Sequence, residues 1–237
     1  MQPARSALFM VFLFFWTSLL AVIGYPYLLV GDAAGTRAYA RFWERGVRLA
    51  LATLVGLRVE IRGQVPTEPA LIAAKHQSAL ETLVFHILLK DISIPLKQEL
   101  TRIPLFGRYL VRADNIVIDR GAGASAIKKL VADARAALAS GLSVLIFPEG
   151  TRTQPGGAAS YKPGIAALYN QLDASVVPVA LNTGVFWQSG LFGKKPGTAV
   201  IEFLDPIAPG MDRRSFMKQL QDRIETATHR LVEEAES

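Results

Sequence analysis

The sequence predicts an α/β protein with a mixed sheet flanked by helices, preceded by an N-terminal membrane-anchoring helical segment. Two observations carry this prediction: Ala7 to Val30 contains no charged residue, and short apolar runs alternate with amphipathic helical patterns from residue 57 onward. With 237 residues, 51% of them hydrophobic, the chain can bury a large core. We therefore divide it into an anchor with a basic amphipathic helix, 1–56, and one α/β domain, 57–237.

The apolar segment from Ala7 to Val30 is long enough to cross a membrane. Its 24 residues extend about 36 Å as a helix, against a hydrocarbon core of about 30 Å. A cleaved signal peptide is disfavoured, because its apolar region usually spans about 7 to 15 residues and no small-x-small cleavage site follows Ile23. Gly24 and Pro26 interrupt the segment near its end, so a kinked or re-entrant helix is an alternative to a clean span.

Four arginines follow the apolar segment at helical spacing. Steps of four, four and three residues place them within about 80° of one helix face, at Arg37, Arg41, Arg45 and Arg48. A purely basic face backed by aromatic residues is typical of a helix lying on anionic lipid; the alternative is a basic face packed on the chain's own domain. Only Arg5 precedes the segment, so the positive-inside rule places the residues after Val30 in the cytoplasm.

The rest of the chain alternates between strand and helix patterns. Strands are predicted at 57–62, 70–74, 94–97, 115–118, 143–147, 176–181 and 198–204. Helices are predicted at 82–89, at 124–139 with Gly141 as its stop, and after an Asp212 cap. Four residues of this last helix are expected to face the core: Phe216, Leu220, Ile224 and Leu231. Alternation of this kind predicts a sheet covered on both faces, with ligands at the strand ends.

The net charge of the chain limits the kinds of partner that it is expected to bind. The net charge is +6 and the isoelectric point is near 9.7, which indicates a partner with an anionic surface, either nucleic acid or membrane phosphate. The mean hydropathy of +0.28 is high for a purely soluble protein. The sequence shows no helix-turn-helix, zinc or RNA-binding signature, and the basic stripe adjoins the apolar segment. We therefore predict a membrane partner and no nucleic acid. The absence of cysteine excludes disulfides, thiol catalysis and zinc fingers.

A histidine follows the second predicted strand, in the sequence KHQSALE. Catalytic side chains are often presented at such strand-to-helix turns, which makes His76 and Glu81 a candidate catalytic pair. Five residues on a regular helix turn about 140°, so the two meet only if His76 precedes the helix. Ser78 and Glu81 also fit a capping box, a structural role that would fold Glu81 back toward His76.

Other chemistries fit this motif poorly. A serine nucleophile at Ser78 lacks the Gly-x-Ser-x-Gly elbow, and metal binding by His76 and Glu81 lacks a third ligand at recognisable spacing. We therefore predict no metal. Of the other histidines, we expect His86 to be satisfied within its helix and His229 to be solvated.

A second charged motif, FPEGTRT at 147–153, follows the apolar strand pattern at 143–147. Proline and glycine enforce a tight exit, and Thr151, Arg152 and loop amides form a plausible anion cradle. Glu149 beside Arg152 fits a structural ion pair equally well. Two further basic loop positions accompany this motif, Arg120 and Lys162.

These motifs together resemble a known family. KHQSALE, the segment from Lys97 through Phe106 and Gly107 to Ile118-Asp119-Arg120, the FPEGTRT loop and Val176 to Ala180 resemble, in order and spacing, the four motifs of the 1-acylglycerol-3-phosphate (lysophosphatidic acid) acyltransferases. The match runs from about Ile61 to Pro206. The family usually has an aspartate where this chain has Glu81. If that carboxylate orients His76, Glu81→Asp should retain or raise activity.

The resemblance implies a glycerolphosphate-acyltransferase-like domain, a reaction and a set of roles. A fatty acyl group would pass from acyl-CoA or acyl carrier protein, as co-substrate and without a cofactor, to the free hydroxyl of lysophosphatidate, giving phosphatidate for phospholipid biosynthesis. His76 would be the base and Glu81 its orienting partner. The acceptor phosphate would lie at Arg120, Glu149, Gly150, Thr151 and Arg152, and the acyl site beside Val177 and Pro178. The catalytic domain would face the cytoplasm at the membrane.

Two alternative functions and one loop stay open at this point. The acceptor is alternatively another lyso-lipid, such as a lyso-ornithine lipid, or the protein is a silent lipid-binding protein in which Glu81 marks lost activity. The loop 186–195 mixes aromatic residues with lysines, which fits a second membrane contact or ordinary packing equally well.

Overall fold

The computed structural model describes residues 2–104, 106–157, 160–188, 190 and 192–237, apart from the side chains of Leu28, Leu29 and Arg120. Its helices are α1 (Gln2–Ile23), α2 (Tyr25–Val30), α3 (Ala33–Ala50), α4 (Leu80–Leu89), α5 (Phe106–Arg112), α6 (Ala124–Ala139), α7 (Gly164–Leu172), α8 (Thr183–Phe186) and α9 (Arg213–Glu236). Its strands are β1 (Leu57–Arg62), β2 (Leu71–Ala74), β3 (Ile92–Ser93), β4 (Leu96–Lys97), β5 (Val117–Ile118), β6 (Ser143–Ile146), β7 (Val176–Leu181) and β8 (Gly197–Phe203).

Six of these strands form one mixed sheet in the order β1-β8-β7-β2-β6-β3. Every neighbouring pair is parallel except β7 and β8, which are antiparallel. The predicted mixed sheet is therefore confirmed, and β1 and β7 have the predicted bounds. Because β7, β2 and β6 are parallel neighbours, their carboxyl ends meet at one edge.

The strand predicted at 94–97 is wrong in its first half: only Leu96–Lys97 form a strand, β4, and a further strand, β3, lies before it at Ile92–Ser93. β3 pairs with β6 in the main sheet, whereas β4 pairs with β5 in a separate two-stranded sheet. Pro95 lacks an amide hydrogen, and the amide of Ile94 donates to the side chain of Asn115 at 3.0 Å instead of to a strand. The chain therefore leaves the main sheet at this point.

Helices cover both faces of the main sheet, as predicted. α6 has the predicted bounds and ends before Gly141, whose φ is +82°. Asp212 caps α9 by accepting from the amides of Arg214 and Ser215. One face of the sheet is covered by α6, α7 and α9, which pack against residues of β2, β6 and β7 such as Leu71 and Val144.

The N-terminal helices close the opposite face of the sheet. Phe9 of α1 and Val47 of α3 are fully buried in the same core cluster as Val84 of α4 and Leu145 of β6. Gly56, with φ +81°, ends the π-helical turn Leu51–Val55 at the expected boundary between anchor and domain. The core nevertheless continues across that boundary, so the anchor is part of the packed structure.

α1 and α3 form an antiparallel hairpin. The indole of Trp16 donates to the Trp43 carbonyl at 3.1 Å, and the Tyr39 hydroxyl donates to the Leu20 carbonyl at 2.5 Å. The predicted interruption lies at Gly24, between α1 and α2. α1 is long and apolar enough to cross a membrane, with a mean hydropathy of 2.3, and its outer face exposes large side chains such as Phe14, which is 76% exposed.

Two of the four arginines of α3 pack on the chain's own domain, and two are exposed. Arg37 forms ion pairs with Asp91 at 3.0 Å and Asp114 at 2.8 Å, and Arg41 donates to the Lys90 carbonyl at 2.6 Å. These two arginines therefore pack on the chain's own domain. The other two, Arg45 and Arg48, are exposed.

The loop 186–195 packs mainly on α1. Trp187 contacts Phe9 edge to face at 5.6 Å between ring centroids, and Ser6 donates to the Lys194 carbonyl at 3.0 Å. The packing alternative therefore applies to Trp187 and to the buried Lys194. Phe192 points outward and is 60% exposed, while Ser189 and Leu191 lie outside the described residues.

Candidate active site

The candidate site lies where β2, β6 and β7 end side by side. β2 leads into the turn that carries His76, β6 leads into the loop 147–153, and β7 leads into α8, which begins at Thr183. The loop is tied directly to the histidine turn, because the Thr153 amide donates to the His76 carbonyl at 2.8 Å. Three segments far apart in the sequence therefore form one site.

His76 and Glu81 are in contact. The carboxylate only accepts hydrogen bonds, so we assign the imidazole proton to Nδ1, which donates to Glu81 Oε1 at 2.9 Å. This assignment leaves Nε2 as the ring atom that can accept a proton. The imidazole stacks on Phe147, with ring centroids 4.0 Å apart and planes 16° apart, which fixes its orientation.

Glu81 is fully buried in the first turn of α4, and hydrogen bonds surround its carboxylate. Oε1 also accepts from the amides of Gln77 and Ser78, both at 2.7 Å, while Oε2 accepts from the hydroxyls of Ser78 at 2.8 Å and Thr183 at 2.6 Å. Burial raises the pKa of Glu81, but the hydrogen bond and charge of His76, with Thr183 and the Ser78 amide, outweigh it and lower that pKa below its usual value. The carboxylate is therefore held ionised.

The predicted capping interaction explains how a five-residue spacing closes. Glu81 reaches back to the Ser78 amide, as the capping box requires, and the Ser78 hydroxyl accepts from the Leu80 amide at 3.0 Å. α4 begins at Leu80, so His76 lies before the helix, where the folded-back Glu81 meets it. One side chain thus serves as both cap and partner.

A buried ion-pair network lies beneath the site. Lys75 is 1% exposed and contacts Glu149 at 2.9 Å and Glu225 at 2.8 Å. Thr153 donates to Glu149 at 3.0 Å, and the Tyr161 hydroxyl donates to Glu225 at 3.0 Å. Burial raises the pKa of Glu149, and Lys75 opposes that shift. Glu149 therefore pairs with Lys75 and not with Arg152, and its carboxylate holds the loop from below.

A cavity of about 1290 Å³ opens beside the pair His76 and Glu81, called the dyad below. His76, Thr151, Arg152 and Lys162 contribute polar side chains to its wall. Much of the remaining wall is apolar and comes from α1, α3, α4 and α5, including Leu20, Trp43, Leu83 and Leu110. A cavity of this volume and lining accommodates a long aliphatic chain with its polar end near His76.

Known proteins are similar to this chain in sequence. A family profile described as Acyltransferase matches residues 56–182. A 1-acyl-sn-glycerol-3-phosphate acyltransferase of Pseudomonas aeruginosa is 34% identical over 203 residues, covering 83% of this chain and 78% of that protein. This chain belongs to the 1-acylglycerol-3-phosphate acyltransferase family. The resemblance seen in its four motifs is therefore confirmed, and the chain is an acyltransferase, which sets aside the silent lipid-binding alternative.

More distant comparisons agree with that assignment. The 1-acyl-sn-glycerol-3-phosphate acyltransferase alpha of Homo sapiens is 30% identical over 172 residues, which are 71% of this chain and 60% of that protein. The crystal structure of the 1-acyl-sn-glycerophosphate (LPA) acyltransferase PlsC from Thermotoga maritima aligns with a TM-score of 0.76 over 100% of this chain and 98% of that one. Its sequence is 20% identical, so this likeness establishes the fold alone.

Only some of the predicted phosphate-binding residues of this acyltransferase are found on the cavity wall. Gly150, Thr151 and Arg152 lie on the cavity wall, and Arg152 is exposed and forms no ion pair within the described part of the chain. Glu149 lies below them, facing Lys75. Arg120 begins a short 3-10 turn, and its side chain lies outside the described residues.

Val177 and Pro178 do not line the cavity within the described chain. β7 lies between β8 and β2, so its side chains are buried on both faces of the sheet. The position of these two residues beside the acyl site stays a prediction. The residues after this strand are the ones that reach the site, through Thr183.

The two other histidines, His86 and His229, have different surroundings. His86 pairs with the buried Glu44 of α3 at 2.5 Å, and both residues line the cavity. His86 is therefore satisfied, although its partner comes from another helix. His229 is largely exposed, as expected. Among the described residues, no cluster of three histidine or acidic side chains is arranged to hold a metal ion.

Sequence reasoning did not identify Lys75, Glu225 or Thr183 as site residues. Lys75 precedes His76 in the motif, which was a usable signal. Glu225 lies on α9, 150 residues away from Lys75, and Thr183 lies 102 residues from Glu81. No local pattern marks either partner.

Replacing Lys75 with methionine is expected to destabilise the protein strongly. The change leaves Glu149 and Glu225 facing each other without their cation, and removing one partner of a buried ion pair costs roughly 3–5 kcal/mol. Thermal unfolding in detergent, followed by circular dichroism, measures the effect.

Lys218→Met provides the matched control, because Lys218 forms an exposed pair with Asp222. The control should unfold at close to the parent temperature. Equal unfolding temperatures for Lys75→Met and the parent would contradict a stabilising role for the network.

Proposed function

We propose that this acyltransferase transfers a fatty acyl group from acyl-CoA or acyl carrier protein to the free hydroxyl of 1-acylglycerol-3-phosphate, giving phosphatidate. The contact between His76 and the buried Glu81, in the wall of a large apolar cavity, carries the proposal. The names of the Pseudomonas aeruginosa and Homo sapiens relatives support this choice of acceptor.

In this mechanism, His76 acts as a general base. Nε2 accepts the proton of the acceptor hydroxyl as that oxygen attacks the thioester carbonyl carbon, forming a tetrahedral intermediate. Glu81 stabilises the cationic imidazole through Nδ1. When the intermediate collapses, the carbon–sulfur bond breaks, and the thiolate leaving group recovers the proton from Nε2.

The loop after β6 is proposed to bind the acceptor phosphate. Arg152 supplies an exposed guanidinium, and Lys162 lies against the loop, its Cγ 3.4 Å from where a side chain at Gly150 would begin. Both cations border the cavity that contains His76. Arg120 is proposed as a third cation, on the sequence motif alone. Glu149 would contribute by holding the loop and not by touching the phosphate.

The N-terminal helices are proposed to place the site at the membrane surface. α1 contacts the domain near its start, through Ser6 and Lys194, and contacts α3 near its end, through Leu20 and Tyr39. This packing favours a re-entrant anchor, which enters one leaflet and returns to the same side, and disfavours a helix that crosses the whole bilayer. Arg45 and Arg48 would then face anionic headgroups, with the catalytic domain on the cytoplasmic face.

Turnover by the purified protein tests the proposal. The detergent-purified chain is incubated with lysophosphatidate and either a long-chain acyl-CoA or acyl carrier protein, and mass spectrometry follows phosphatidate. Lyso-ornithine lipid and other lysophospholipids serve as competing acceptors. Preferred acylation of one of these over lysophosphatidate would overturn the acceptor assignment while leaving the acyltransferase reaction in place.

Arg152→Ala is expected to raise the apparent KM for lysophosphatidate by roughly 10-fold or more, the effect of losing one charge-assisted hydrogen bond. The kcat should change less, because Arg152 is proposed to contact the phosphate and not the reacting hydroxyl. Initial rates over a range of acceptor concentrations measure both constants.

The matched control is Arg213→Ala, which removes an exposed arginine of α9 that is not on the cavity wall. A monoacylglycerol acceptor, which has no phosphate, should show little difference between the parent and Arg152→Ala. An unchanged acceptor KM in Arg152→Ala would remove Arg152 from the phosphate site.

A further inference from the structure

Thr183 reaches the dyad from a distant part of the chain. It is the first residue of α8, is fully buried, and donates its hydroxyl to Glu81 Oε2 at 2.6 Å. The contact joins the end of β7 to the start of α4. Within the described part of the chain the Thr183 hydroxyl bonds to Glu81 and not to His76, so its influence on the imidazole passes through Glu81.

The segment that carries Thr183 is rigidly held. The side-chain amide of Asn182 donates to the Leu231 carbonyl at 2.7 Å, and its oxygen accepts from the Val200 amide at 2.7 Å. The Gly184 amide donates to the Gln77 side chain at 3.0 Å. The residues after β7 therefore form hydrogen bonds with both Gln77, which follows His76 in the chain, and Glu81, which contacts His76.

The two carboxylate oxygens of Glu81 accept hydrogen bonds from different partners. Oε1 faces His76 and two backbone amides, whereas Oε2 faces only the hydroxyls of Ser78 and Thr183. Ser78 lies on the same turn as Glu81. Thr183 is thus the contact that joins the carboxylate to the end of β7.

We propose that Thr183 is a positioning residue for acyl transfer, which holds Glu81 so that Oε1 orients the His76 imidazole. The strand with Val177 and Pro178 would then serve the reaction by delivering Thr183 to the dyad. The inference rests on the proposed role of His76 as base. It also gives a role to the length of Glu81, since the longer side chain extends the carboxylate from α4 to a point where one oxygen meets His76 and the other meets Thr183.

The kinetic test compares three substitutions at position 183. Thr183→Val keeps the shape and removes the donor, Thr183→Ser keeps the donor, and Thr183→Ala removes both. We expect Thr183→Val and Thr183→Ala to lower kcat by roughly 10-fold or more with little change in acceptor KM, and Thr183→Ser to retain most activity. Parent-like kcat in Thr183→Val, or equal losses in the Val and Ser variants, would overturn the proposal.

A double substitution tests whether Thr183 acts through Glu81. If it does, Thr183→Val should add little to the loss already caused by Glu81→Gln, because the two changes break one network. Multiplied losses in the double variant would assign Thr183 a separate role.

A readout without turnover separates this inference from the proposed function. The chain has three histidines, so isotope-labelled imidazole signals can be assigned by NMR through His76→Asn and His229→Ala. Thr183→Val should shift the His76 Nδ1 signals and leave those of His86 in place, and Thr183→Ser should shift neither. Absent turnover by the parent would refute the proposed function alone, whereas unshifted His76 signals in Thr183→Val would refute the positioning role.

Discussion

Replacing His76 with alanine is expected to lower kcat by roughly 10²- to 10⁴-fold, the usual contribution of a positioned general base. Two imidazoles line the cavity with Nδ1 on a carboxylate, His86 on Glu44 and His76 on Glu81. His76 is the one tied to the loop 147–153, because its carbonyl accepts from the Thr153 amide, so its Nε2 is the atom expected to take the hydroxyl proton. Removal of the His76 imidazole therefore affects the chemical step more than substrate binding. Initial rates of phosphatidate formation, with protein shown to be folded by circular dichroism, measure the loss.

A second substitution distinguishes the base from a structural partner of Glu81. His76→Asn can still donate a hydrogen bond toward Glu81, yet it offers no basic nitrogen. It should be as inactive as His76→Ala if His76 is the base. His229→Ala removes an exposed histidine and should keep parent activity. Activity of His76→Ala within a few-fold of the parent would refute the proposed role.

Features with a local cause were predictable from the sequence. α6 has its predicted bounds because its apolar residues repeat at helical spacing and Gly141 follows. Asp212 caps α9 because a short acidic side chain reaches the next free amides. The turn from His76 to Glu81 closes within six residues, so its capping pattern was visible in the chain.

Features set by distant partners were not predictable in this way. β3 and β4 separate because Asn115 binds the Ile94 amide, and Arg37 faces the domain because Asp91 and Asp114 lie there. The same holds for Thr183, which reaches Glu81 only because β7 lies beside β2. A single sequence shows the spacing of residues along the chain but not which strands become neighbours.

Glu81→Gln is expected to lower kcat by roughly 10²- to 10⁴-fold, as when the acidic partner of a catalytic histidine is neutralised. The carboxylate accepts from five donors, whereas an amide has one accepting oxygen, so its NH₂ group must face donors that the second carboxylate oxygen satisfies in the parent. It also removes the charge that stabilises a cationic imidazole. Initial rates at saturating acceptor, together with His76 NMR signals, report both effects.

Glu81→Asp gives the sharper comparison, because the structure reverses the expectation drawn from the family's usual aspartate. An aspartate here is one methylene too short to keep both His76 and Thr183, whose hydrogen bonds to Glu81 lie on opposite oxygens. Losing either contact to a buried carboxylate should lower kcat by roughly 10-fold or more. Activity in Glu81→Asp equal to or above that of the parent would show that α4 shifts to accommodate the shorter chain, and parent activity in Glu81→Ala would reduce Glu81 to a helix cap.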